Sequence, residues 1–132
     1  MTLLLDTSAI LLHFFREPGG ERVQELLADD SNEILISPVC ITEFARRLAV
    51  MQYGTDEARS RSLAYAELAE RVVPVDTAVA VRAFELSSLS RERIPLADAL
   101  IAACASLSGA TLVHRDAHFS AIPEDLLQRV DL

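Results

Sequence analysis

The chain reads as an α/β protein organised around a parallel sheet, and three features predict it. Short apolar runs of strand length recur along the chain, as in Leu3-Leu4-Leu5, Ile34-Leu35-Ile36 and Ala110 to Val113. Segments with apolar residues at helical spacing separate them. The runs are continuously apolar instead of alternating, as strands become when crossover helices cover both faces of a sheet. The 132 residues fit one domain over 1–132 with one core, and a hydrophobic content of 51% supplies the apolar material to close it.

Thr2 to Asp6 is the first strand and ends in an acid, and Ser8 to Arg16 is a helix carrying Ile10, Leu11, Phe14 and Phe15. Pro18-Gly19-Gly20 turns the chain into a second helix, Glu21 to Asp29, with Val23, Leu26 and Leu27 on one face. Glu33 to Ser37 is the next strand, and Ser37-Pro38 is an N-cap and first-turn pair that opens a helix to about Met51. Gly54-Thr55-Asp56 separates it from a helix over Asp56 to Glu70, whose charges mark an outer element. Val72 to Val75 supplies a strand. Asp76 or Thr77 then caps a helix bearing Val79, Val81, Phe84, Leu86 and Leu89, which Ser87 to Arg93 ends. Pro95 opens the most apolar helix, running to Ser108 and stopped by Gly109. Ala110 to Val113 is a strand, His114 to Phe119 a loop or short helical turn, and Gln128 to Leu132 a last edge strand.

Composition narrows the functional classes. A formal charge of −8 excludes nucleic-acid binding through a broad basic field, so any such contact must be local. All 12 basic residues are Arg, which removes mechanisms that need a lysine ammonium. No apolar stretch approaches the roughly 18 residues of a membrane span. The N-terminus lacks a basic leader and meets Asp6 early, so a cytoplasmic location is expected. Cys40 and Cys104, both in apolar helical patterns, read as reduced core residues.

Four acids carry the chemical signal, and each also has an ordinary reading. Asp98 is the sole charge in Pro95 to Ser108. An isolated buried carboxylate must be paired, hydrogen-bonded or bound to metal, although a first-turn acid also offsets the helix dipole. Asp6 at a strand end is a normal helix cap, Glu43 could pair with Arg47 four residues on, and Asp116 is a normal turn former. Together they change the argument. A parallel sheet brings strand-end acids close in space, and a hard divalent cation needs several such oxygens.

In their order, Leu3 to Leu11, Ile36 to Phe44, Ile94 to Ala105 and Leu112 to Phe119 resemble the PIN-domain family, and within it the VapC-type toxins of toxin–antitoxin pairs. The resemblance implies a three-layer α/β/α fold with a central parallel sheet of about four to five strands. It implies that Asp6, Glu43, Asp98 and Asp116 form the catalytic set and hold Mg²⁺ or Mn²⁺, that Ser8 supports them by hydrogen bonding, and that the activity is endonucleolytic cleavage of RNA. It further implies a homodimer and a cognate VapB-like antitoxin; Phe14, Phe15, Val23, Leu26 and Leu27 suit either an apolar groove for such a partner or ordinary core packing. One departure stands out: His114 occupies a position where the family usually has Thr or Ser, and a solvent-facing or loop-packing role is expected of it.

Arg16, Arg46, Arg47, Arg91, Arg93 and Arg115 are candidates to border the acids and hold phosphates. Five Phe and two Tyr give no broad stacking platform. Two other classes compete: a receiver-like phosphoacceptor module, which normally relies on a lysine this chain lacks, and a PIN-like RNA-binding or interaction module without catalysis.

Overall fold

The computed structural model describes residues 1–132. Five strands, β1 (Thr2–Leu5), β2 (Glu33–Ile36), β3 (Arg71–Val72), β4 (Thr111–His114) and β5 (Arg129–Asp131), form one sheet in the order β3-β2-β1-β4-β5. Every pairing is parallel. Six helices flank it: α1 (Thr7–Phe14), α2 (Gly20–Ala28), α3 (Pro38–Val50), α4 (Thr55–Leu68), α5 (Thr77–Leu89) and α6 (Leu96–Leu107). A 3₁₀ turn, Ala117–Ala121, leads toward β5. The result is the expected α/β/α arrangement.

The central strands are apolar through their middles because both faces are covered. Leu3, Leu4, Leu5, Leu35, Ile36, Leu112 and Val113 are all buried and join one contiguous core. Ser37 caps α3 by accepting the Val39 amide, with Pro38 at the first turn, and Asp76 caps α5 by accepting the Val79 amide. In α6 the small residues Ala99, Ala102, Ala103 and Ala105 are fully or almost fully buried. Gly109, at φ +63°, takes the left-handed conformation that ends this helix.

Two expectations shift. The third strand covers Arg71–Val72 in place of Val72 to Val75, because Pro74 has no amide with which to extend the ladder. In α5 the buried residues are Val79, Ala83 and Leu86, whose spacing follows one helical face, while Val81, Phe84 and Leu89 are exposed. Cys40 and Cys104 are buried and unpaired, as their contexts predicted. Phe14 and Phe15 are only partly buried. Phe14 packs edge-on against Phe15, Phe44 and Tyr53 at centroid distances of 5.0, 5.3 and 6.0 Å.

Candidate functional site

The strand order reverses between β1 and β4, one leading outward to β2 and the other to β5. In open α/β sheets the crevice beyond the carboxyl ends at such a point is where ligands collect. Leu5 pairs with Val113, and the Asp6 amide donates to the Val113 carbonyl at 3.0 Å. Asp6 and the segment His114 to Asp116 therefore leave the sheet side by side.

Each acid reaches this crevice by a local rule. Asp6 caps α1: its Oδ2 accepts the Ser8 amide at 3.0 Å and the Ser8 hydroxyl at 2.5 Å. Ser8 Oγ in turn accepts the Arg115 amide at 2.9 Å, which ties the end of β1 to the loop after β4. Asp116 caps the 3₁₀ turn, its Oδ1 accepting the His118 amide at 2.9 Å. Asp98 lies in the first turn of α6 and is only 7% exposed. Glu43 Oε1 accepts the Thr7 hydroxyl at 2.6 Å, which points its carboxylate toward the start of α1 and not to the expected partner Arg47.

The electrostatics show that these groups share one field. Burial pushes Asp6 up from 3.8 to about 6; the Ser8 hydrogen bonds oppose this, and the charges of Asp116 and Glu43 add to it. Burial likewise pushes Asp98 to about 6, reinforced by Asp116 and Asp6 and opposed by His118. Carboxylates that raise one another's pKa form a site with a deficit of positive charge.

His118 is the residue that sequence reading missed. Its Nδ1 lies 3.0 Å from Asp98 Oδ2 and 3.1 Å from Asp116 Oδ1. One ligand atom from each of these three residues falls within 4.8 Å of the others. The only sequence signal was its position two residues after Asp116, where the capping turn folds the ring back. His114, singled out in the sequence, faces neither solvent nor the other acids. It is buried, packs edge-on against Phe119 at 5.1 Å, and its Nδ1 accepts the Asp116 amide at 3.1 Å. Burial holds its pKa below the usual imidazole value, and its Nε2 has no protein partner.

The arginines do not form one rim. Arg115 spends its guanidinium on the carbonyls of Pro18 and Leu132, at 2.7 and 2.9 Å, and Arg91 reaches the Ser120 carbonyl at 3.4 Å. Arg16 lines a cleft of about 630 Å³ with His13, Gln24, Arg61 and Tyr65, whereas Arg46 lines another between α3 and α4.

The donor set fits a hard divalent cation: several carboxylate oxygens converge, two of the acids are disfavoured as anions, and no guanidinium neutralises them. Asp98 and Asp116, whose ligand atoms lie within 4.8 Å of one another and of His118, would hold such an ion most directly, with Asp6 and Glu43 contributing charge alongside.

Comparison with known proteins agrees with this geometry. Residues 3–125 match the family described as PIN domain. No curated protein matches the chain significantly in sequence. Among solved structures, VapBC2 from Rickettsia felis, bound to a DNA fragment from its promoter, aligns at TM-score 0.78 and 23% identity, covering 100% of this chain and 99% of that one. FitAcB from Neisseria gonorrhoeae aligns at TM-score 0.72 and 25% identity, covering 97% and 96%. Mycobacterium tuberculosis VapC20, described as a sarcin–ricin loop cleaving toxin, aligns at TM-score 0.69 and 22% identity, covering 90% and 93%.

Proposed function

This chain belongs to the PIN-domain family, and we propose that it is a metal-dependent endoribonuclease, the toxin of a VapBC-type toxin–antitoxin pair, built as a single domain over 1–132. The observation that carries the reading is the meeting of Asp6, Asp98 and Asp116, with Glu43 beside Thr7, at the reversal point of the sheet. Mg²⁺ or Mn²⁺, when bound, supplies a Lewis acid that activates water and offsets charge developing on a phosphodiester. Asp6, Asp98 and Asp116 would hold that ion, and Glu43, fixed by the Thr7 hydroxyl, would hold it directly or through a water. Ser8 fixes the rotamer of Asp6 through two hydrogen bonds to one oxygen, leaving the other oxygen free for the ion. The substrate is RNA, by analogy with VapC20.

The partners follow from the same likeness. Similar solved structures include a toxin–antitoxin complex from Klebsiella pneumoniae and a member of the VapBC family of toxin–antitoxin systems from Mycobacterium tuberculosis, so a VapB-like antitoxin and a homodimer are proposed for this chain, acting in the cytoplasm. No helix is long and apolar enough to cross a membrane. A receiver-like module is disfavoured on two grounds: the strand order differs from the 2-1-3-4-5 order of such folds, and there is no lysine. An inactive interaction module would have no need to keep four acids in mutual repulsion.

Incubation with a structured RNA in Mn²⁺ or Mg²⁺ tests the assignment. Cleavage should appear with metal, vanish with EDTA, and fall by at least about a hundredfold in Asp98→Asn. Cleavage indifferent to both changes would remove the mechanism.

A further inference from the structure

We propose that His118 is a protein ligand to the catalytic cation through Nδ1, beside Asp98 and Asp116, and that this nitrogen makes the site prefer Mn²⁺ and similar transition ions over Mg²⁺. The inference rests on the metal-dependent reading above and specifies which ion that site selects.

The geometry of three donor atoms supports it. In an octahedral complex with bonds of about 2.1 Å, adjacent ligand atoms lie about 3.0 Å apart. The Nδ1 of His118 is 3.0 Å from Asp98 Oδ2 and 3.1 Å from Asp116 Oδ1, the separations of neighbouring vertices. Without an ion, the same spacing serves a hydrogen bond from Nδ1–H to the carboxylates. With an ion, the ring proton resides on Nε2 and Nδ1 presents its lone pair, which requires only the other neutral tautomer. The ring needs no rebuilding to make this change. Its backbone amide is already held by Asp116 Oδ1 at 2.9 Å, and more than half of the side chain is exposed.

Ligand chemistry then sets the preference. Carboxylate and water suit Mg²⁺ and Mn²⁺ alike, whereas imidazole favours Mn²⁺ and the later first-row ions over Mg²⁺. A site of acids alone would discriminate weakly; one imidazole among them tilts the choice.

The test uses the ion-loaded protein and does not depend on cleavage. Pulsed EPR of the Mn²⁺ complex should show a ¹⁴N hyperfine coupling from a directly bound imidazole, absent in His118→Ala. Calorimetric titration should show Mn²⁺ affinity falling about tenfold or more in His118→Ala, with Mg²⁺ affinity falling less than about threefold. Three results would overturn the inference while leaving the nuclease reading intact: no nitrogen coupling in the unaltered protein, a coupling that persists in His118→Ala, or an unchanged Mn²⁺ to Mg²⁺ ratio, each with Mn²⁺ binding still abolished in Asp98→Asn. Mn²⁺ binding that survives Asp98→Asn would overturn both.

Discussion

Replacing Asp98 by Asn should make the ion-free protein more stable at pH 7.5 even as it removes activity. The native-state rise of this carboxyl from 3.8 to about 6 corresponds to about 3 kcal/mol by which folding disfavours its charged form. The side chain is only 10% exposed, so solvent screening takes little from that figure. Asn abolishes the charge, and the opposing pull of His118 at 3.0 Å is already contained in that net figure, so the expected gain is up to about 3 kcal/mol. For a chain of this size that is a rise in Tm of up to about 10 °C.

The pH dependence gives the sharper check. Because the folded pKa lies above the unfolded one, the native state binds the extra proton between them, and the charge penalises folding only as pH rises through about 4 to 6. The advantage of Asn should be smallest below about pH 4, grow between about pH 4 and 6, and level off above about pH 6.5. Taking the difference between the two proteins cancels opposing contributions such as that of buried His114, whose lowered pKa weakens the fold toward acid pH in both. Thermal unfolding in EDTA across this range reads the difference directly. An Asn variant less stable at pH 7.5, or a gain independent of pH, would refute the argument that burial and the neighbouring acids charge this site unfavourably.

Saturating Mn²⁺ should restore what the acids forfeit, raising unfolding free energy by about 2.7 kcal/mol at a hundred times Kd, measurably in the unaltered protein and not in Asp98→Asn. Ser8→Ala removes the acceptor of the Arg115 amide and the 2.5 Å donor to Asp6, so urea titration should show a loss of about 1–3 kcal/mol at unchanged slope, and the acid limb of cleavage should move to higher pH. Gly20→Ala should invert the usual helix preference. Its Cβ would fall 2.4 Å from the Leu12 carbonyl oxygen, a backbone atom, so instead of the customary gain of up to about 1 kcal/mol, thermal unfolding should register a loss.

Much of the site was legible because strand ends and helix starts are sequence-local events. Asp6 follows three buried leucines, Asp116 follows β4, and Asp98 is the sole charge in an apolar helix, so each announced itself by contrast with its neighbours. Glu43 did not: its helical context equally suited an ion pair with Arg47, and only folding brings Thr7 to it. His118 was illegible for a related reason, since its contact with Asp98 spans 20 residues and depends on a 3₁₀ turn with no periodicity to read. The arginines misled because long flexible side chains satisfy whatever carbonyl is within reach, as Arg115 does at Pro18 and Leu132. Proline decided the length of β3 at a point where β-branched residues on both sides favoured a longer strand.

Asp6 and Asp116 each begin the helical turn that follows them while leaving one carboxylate oxygen without a protein donor. The framework proposed to meet the ion is thus assembled by the fold itself, with its carboxylates already held in place. Ion affinity is not diminished by the entropy of ordering a loop. Asparagine starts helices as well as aspartate does, so Asp→Asn variants at these positions lose charge while keeping their turns. An empty and a loaded molecule should accordingly share one backbone, and control over when this protein acts must come from what covers the crevice instead of from whether the crevice exists.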